Sequence, residues 1–359
     1  LWLRKFYIFL ILIFFFNLIL LSKEISIMTA KKFSFLSQLW LINRRKKNAG
    51  VSITELLVAT IVAGIAITGL LAAMVELLQT DQREAAREET QQSMQTALDF
   101  IAEDLRESVY VYDGTQRRGA GGTGPFHYIY DYLPNFSSVG TPILAFWKTE
   151  PLSASQESDL SSMDCARLAQ PTQQECNNLK LRRRSYSLIV YLQSTISDPK
   201  WPGKSRILRY ELPKYDASRF STLAKSRGFV DPAEANNFPV WPLDAQNNNL
   251  QTAAGGLPSL SDSPPEVLVD FVDDPESTVS MPDCENTYGT SYVRVPSNDA
   301  NNRSFFACVR RIDNKIGENQ DIILYLRGNT YGKDGANAQN ELPILQTRVT
   351  LRGVIDKFN

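Results

Sequence analysis

Two uncharged apolar stretches stand near the head of the chain, and they differ in length. Phe6 to Leu21 gives 16 residues with Asn17 inside it, short of the roughly 20 that a bilayer-spanning helix needs. Leu56 to Val75 gives 20 residues without a charge, enough to cross a bilayer. Beyond it the pattern turns amphipathic. Met94, Leu98, Ile101 and Leu105 recur at steps of four, three and four, with Glu103, Asp104, Arg106 and Glu107 beside them, the period of a helix with one buried face. No proline falls between Val51 and Tyr112. The spacing predicts one continuous helix over 51–112, about 60 residues or ~90 Å at 1.5 Å rise per residue. Its first half, about residues 56–75, suits lipid, and its second half suits packing on a globular domain.

The pattern changes after Asp113. Residues 117–125, Arg-Arg-Gly-Ala-Gly-Gly-Thr-Gly-Pro, read as a connector whose glycines lack the strand–turn–helix setting of a phosphate loop. Predicted strands follow at Ile143–Trp147, Ser185–Gln193, Arg206–Leu212, Glu266–Val272, Phe305–Arg311, Asp321–Arg327 and Ile344–Ile355. In the last, Leu345, Val349 and Leu351 fall on one face and Gln346, Arg348 and Arg352 on the other. No helical stretch of comparable strength separates the strands, so the sheet is expected to be antiparallel. The fold class is therefore α+β: a long N-terminal helix packed on an antiparallel β-sheet domain, residues 113–359, with long loops. Ser153–Leu179 and Lys214–Pro265, rich in Ser, Asn, Gln, Pro and Gly, read as long surface insertions with room for short helices.

Charge divides the chain. The formal net charge is -1, but residues 1–50 hold nine Lys or Arg against the single acid Glu24, a net of +8. The rest holds 29 Lys or Arg and 38 Asp or Glu, a net of -9. Positive charge confined to one short segment of an otherwise acidic chain speaks against nucleic acid as a partner. A single histidine, His127, removes His-rich metal sites and leaves nucleophilic triads one residue to use. Arg44-Arg45-Lys46-Lys47 precedes the 20-residue run, and the positive-inside rule puts the chain after Val75 outside the cytoplasm. The cysteines Cys165, Cys176, Cys284 and Cys308 all lie there, none in a C-x-x-C arrangement, which suits disulfides in an oxidising compartment. Of three possible pairings, Cys165–Cys176 and Cys284–Cys308 are favoured because each pair is local. The alternative is four buried free thiols.

Lys46-Lys47-Asn48-Ala49-Gly50 is followed by Val51-Ser52-Ile53-Thr54-Glu55 and then the apolar run. This arrangement resembles the processing and assembly signal of type IV pilins and pseudopilins. The resemblance implies a leader, residues 1–50, that prepilin peptidase removes by cutting after Gly50. It implies a mature chain beginning at Val51, the site of N-methylation. It makes Glu55 the fifth mature residue, meeting the N-terminal amine of a neighbouring subunit. Val51 replaces the usual phenylalanine, the apolar helix carries no proline, and the chain is larger than a typical major pilin; all three favour a minor pilin or pseudopilin. Ala97–Leu105, Tyr110-Val111-Tyr112-Asp113 and Thr141–Lys148 look like the hormogonium polysaccharide secretion pseudopilin of filamentous cyanobacteria. That resemblance weakens after Pro213. It implies a subunit of a type IV pilus-like or type II secretion-like apparatus in the inner membrane. Its expected partners are the peptidase, other pilins and pseudopilins, the assembly platform and the exported polysaccharide.

Other features carry less. Leu1 opens the sequence and the first methionine is Met28, so residues 1–27 read as an upstream extension of the frame, the alternative being a signal-like or first membrane helix. Asp270, Asp273, Asp274 and Glu276, and Asp313, Glu318 and Asp321, form two acidic stretches. Related pseudopilins bind calcium in a C-terminal loop, but neither stretch has EF-hand spacing, and both read as solvated loops with no cofactor expected. Trp147 reads as core; Trp201 and Trp241 precede prolines and suit either core or sugar stacking. His127 reads as structural. No catalytic residues are expected. The rival class is a membrane-anchored sugar-binding protein or enzyme that keeps its N-terminal segment, distinguished by the mature N-terminus.

Overall fold

The computed structural model describes residues 52–115, 117–118, 126–127, 129–235, 237–276, 282–296, 303–311, 320–333 and 342–351. The chain separates into two units, Leu1–Met74 and Val75–Asn359. In the first, the described residues form the opening of helix α1, Ile53–Arg106, and every one of its side chains from Ile53 to Met74 is exposed. That stretch is long and apolar enough to span a membrane. The uniform apolar surface leaves no polar face to prefer water.

In the second unit the remainder of α1 is amphipathic, and Met94, Leu98, Ile101 and Leu105 are all buried, the stripe that the spacing predicts. The helix stops at Arg106, short of the expected residue 112. Ser108–Val111 instead forms strand β1, since Val-Tyr-Val suits a pleated surface better than a helix. The side chain of Gln320 holds both backbone groups of Val111, each at 2.8 Å.

Strands β2 (Arg117–Arg118) and β3 (Phe126–His127) form a small separate pair. Strands β4 (Thr141–Pro151), β5 (Arg184–Ser194), β6 (Ser205–Pro213) and β7 (Glu266–Val272) join β1 in a five-stranded antiparallel sheet ordered β1-β4-β5-β6-β7. Strands β8 (Tyr292–Val295), β9 (Phe305–Arg310), β10 (Asp321–Leu326) and β11 (Leu345–Thr350) form a second antiparallel sheet ordered β11-β10-β9-β8. The architecture is α+β. Strand β11 alternates in the expected phase, with Val349 buried and Gln346 and Arg348 exposed. Strands β1 and β8, four residues each, are not among those the sequence predicts.

The main core lies where α1 meets both sheets. Leu98, Ile101 and Leu105 pack with Phe146, Ile189 and Ile207 of the first sheet and with Ala307, Ile322 and Leu324 of the second. The opposite face of the first sheet is also buried, which the sequence reading does not anticipate. Residues from the Lys214–Pro265 insertion cover it, placing Phe229, Phe238 and Trp241 against Trp147, Leu188 and Tyr210. The insertion is therefore a second core layer rather than a surface loop. Its aromatic residues supply the apolar area that its polar composition conceals. Trp241 and Trp147 meet edge to face at 5.2 Å. The Trp241 ring N–H donates to the Val230 carbonyl at 2.8 Å.

Candidate functional site

Glu55 lies in the first turn of α1, exposed. The Ser52 carbonyl accepts from the backbone N–H groups of Glu55 and Leu56, both at 3.0 Å, so the helix opens immediately before the glutamate. Glu55 is the sole charged side chain between Ile53 and Val75. The hydroxyls deeper in this stretch turn inward on the helix. Thr60 donates to the Leu57 carbonyl at 2.8 Å, and Thr68 to those of Gly64 and Ile65 at 3.0 and 2.9 Å. Such self-satisfaction is what an apolar surrounding requires of a polar group. Among the side chains of this stretch, Glu55 alone carries a charge that needs a partner. Gly50, Val51 and the basic leader lie outside the described residues.

The C-terminal end of α1 carries a second charged centre, buried and fully partnered. Asp104 sits on the buried stripe, 6% exposed. It accepts from Lys148 Nζ at 2.7 Å, Arg209 Nε at 2.9 Å and the Tyr191 hydroxyl at 2.6 Å. Those three side chains come from β4, β6 and β5. Burial alone would raise the Asp104 carboxyl, but the charge of Arg209 and the three donors hold it below its ordinary value. Lys148 also meets Glu150 at 2.8 Å, and Arg209 meets Glu211 at 2.6 Å. Glu211 is pushed up to about 7 by burial and by the neighbouring Glu150, with Arg209 opposing. The centre joins helix to sheet, and its polar groups answer one another.

Glu276 is exposed as a solvated loop requires, but Asp270, Asp273 and Asp321 are buried rather than solvated. Asp273 is 1% exposed and pairs with Arg327 at 2.6 Å. Asp270 is buried beside Arg206 at 3.7 Å, and the Asp321 carboxylate accepts from Arg348 Nε at 2.8 Å. A buried carboxylate needs a cation or donors, and each of these has one. Asp313 and Glu318 lie outside the described residues. Among the described residues no three His, Cys, Asp or Glu side chains gather as a metal set.

Cys165 is bonded to Cys176 and Cys284 to Cys308, the two local pairs. The first staples the segment carrying helices α2 (Ala154–Ser162) and α3 (Thr172–Arg182). The second ties the short helix α4 (Cys284–Tyr288) to β9. Trp147 and Trp241 are core, whereas Trp201 stays half-buried. The side chain of His127 lies outside the described residues. Sequence reasoning missed the Asp104 centre, although a signal was present: an acid inside an apolar stripe, and a lysine continuing an apolar strand at Phe146-Trp147-Lys148. Comparison of the chain with protein-family models, with curated proteins and with solved structures finds no match.

Proposed function

We propose that this chain is a minor pseudopilin, a structural subunit of a type IV pilus-like or type II secretion-like apparatus that supports polysaccharide secretion and gliding motility. The observation that carries the reading is one stretch of sequence: a basic leader, Gly50, and Glu55 at the mouth of an uncharged 20-residue run. Prepilin peptidase cuts after Gly50 and frees the α-amino group of Val51, whose ordinary pKa of about 7.7–8.0 keeps much of it charged at neutral pH. A carboxylate at the edge of an apolar helix is costly unless it meets a cation. The Val51 amine of a neighbouring subunit supplies one to Glu55. The protein works by assembly with other pilins, pseudopilins and the membrane platform. It crosses the inner membrane once after processing, with the remainder outside the cytoplasm. The inward-turned hydroxyls of Thr60 and Thr68 and the two disulfides beyond the helix are in keeping with that topology.

Glu55→Ala and Glu55→Gln test the reading. Both variants should be cleaved after Gly50, giving Val51 as the N-terminus by mass spectrometry, and both should reach the membrane at normal level. Export should fall sharply in both, because glutamine keeps the shape but not the charge. Normal export by both variants at normal protein level would sink the assembly role. An uncleaved wild-type chain in the membrane would favour an anchored protein that keeps its N-terminal segment.

A further inference from the structure

Most aromatic side chains of the second unit are packed inside it, but one group is left open. Phe100 on α1 is 46% exposed and Tyr331 45%; Trp201 and Phe271 are half-buried. Phe100, Trp201 and Phe271 line one groove of about 640 Å³. Each ring of the Trp201, Tyr331 and Phe271 group has a lysine over it: Lys200 at 5.1 Å, Lys204 at 5.0 Å and Lys333 at 5.0 Å.

The ledge is built rather than incidental. Phe271 has φ of +62°, a left-handed conformation that is a genuine outlier for a bulky residue and costs free energy to hold. It falls where the pairing of β6 with β7 slips between Ser205 and Ile207, the kind of bulge that re-aims a side chain. Neighbouring segments press against it closely. A side chain at Gly203 would meet the Phe271 nitrogen at 2.5 Å, and one at Gly332 would meet the Pro202 carbonyl at 2.9 Å. Strain held by such close contacts marks a place where a side chain is kept in position.

Charge narrows the occupant. Lys333 is matched by Glu89 at 3.0 Å and Asp270 by Arg206, while Lys200 and Lys204 have no carboxylate partner among the described residues. Of the charged side chains lining the groove, Lys333 and Asp270 are paired and Lys200 is left as an unmatched cation, on a chain whose residues beyond 50 carry a net of -9. Lys204 lines a neighbouring depression with Asp274 and Glu276. Along the helix side, Gln92 offers an amide, and the Ser93 and Thr96 hydroxyls, which donate to the Glu89 and Gln92 carbonyls, offer their oxygens as acceptors. Flat rings for C–H faces, an amide with acceptor oxygens for hydroxyls, and the unmatched Lys200 together describe one ligand chemistry. We propose that the Trp201–Phe271 ledge and its lysines bind an anionic saccharide chain.

The inference rests on the export role proposed above for the natural source of that saccharide, and it can fail separately. Glu55 variants read assembly, whereas binding by purified protein reads the ledge. The full chain in detergent should bind alginate oligomers, a polyuronate, with quenched tryptophan fluorescence and weakening as salt rises. Trp201→Ala should weaken binding about tenfold, the scale of losing one anchor residue. Trp201→Phe should restore most of it, which separates stacking from a folding defect. Lys200→Ala should weaken alginate binding and lessen its salt dependence. Absence of alginate binding by the wild type, or unchanged binding by Trp201→Ala, would overturn the proposal. Equal binding of neutral dextran would overturn the anionic assignment, and equal binding of polyglutamate would make the ledge a site for acidic polypeptide instead.

Discussion

Replacing Asp104 removes one carboxylate and leaves two cations, Lys148 and Arg209, without their shared partner in a site 6% exposed at its centre. Breaking a buried pair on one side costs about 3–5 kcal/mol where the charge is left bare. Lys148 keeps Glu150 and Arg209 keeps Glu211, so Asp104→Ala should cost less than that while still lowering the unfolding midpoint. Asp104→Asn, which can still accept from Tyr191, should cost less. An Asp104→Ala chain as stable as wild type in denaturant titration would refute this account. Glu211, in the same centre, acts in the opposite sense with pH. Its folded value of about 7 stands above the ordinary 4.5, so the folded state holds more proton between those limits. Stability from this group is full below pH 4.5 and is lost as pH rises through 7. Measured against Glu211→Gln across pH 4 to 8, wild-type stability should decline over that interval. A flat difference would contradict it. Asp104 is held low, so its contribution is present above its ordinary value of 3.8 and lost as pH falls through the lower folded value.

At the scale of elements, the segment stapled by Cys165–Cys176 has its own small core. Leu152, Leu160, Leu179, Tyr215 and Phe220 pack with the two cysteines, apart from the main core. Closing loops of 11 and 24 residues is worth about 3 kcal/mol each in the chain-entropy model. Cys165→Ala with Cys176→Ala should therefore speed amide hydrogen exchange across 154–182 while residues 94–105 of α1 stay protected. Equal exchange with and without this bond would show that the satellite core stands unaided. Periodicity made α1 and most long strands legible, because Met94, Leu98, Ile101 and Leu105 repeat at helical steps and Ser185–Gln193 carries the apolar run Leu188-Ile189-Val190-Tyr191-Leu192. Four-residue β1 was hidden, since Val109 to Tyr112 continues an apolar pattern without any breaker. The cover formed by 214–265 was hidden for another reason. Its few aromatic residues are scattered among turn residues, and nothing local says which face of which sheet they reach. Glu55 stands out in the sequence as the acid just ahead of the uncharged run, and the resemblance to pilin signals gives it its proposed role. The Asp104 centre does not stand out, because its donors lie on three strands far apart in sequence.

Across the second unit, one helix and two antiparallel sheets enclose the main core, and the first sheet carries apolar side chains on both faces. A polar seam links the sheets: Gln193 donates to Ser205 at 2.8 Å and to Ser304 at 2.7 Å, and Asp273 accepts from Asn329 at 2.6 Å. Buried polar chains of this kind are costly when incomplete and rigid when satisfied. The Gln193 Oε1 and Asp273 Oδ2 atoms make no hydrogen bond, so the seam favours one alignment of sheet against sheet at these contacts without being a fully satisfied network. The grip of three strands on Asp104 has a mechanical consequence. Tension applied along α1 does not peel a single strand from an edge. It enters the sheet at Lys148, Tyr191 and Arg209 together, on β4, β5 and β6, which are neighbours in the sheet. Three contacts loaded in parallel share the force, and none can yield without the others taking its portion, so the joint between helix and sheet resists shear as a single clamp.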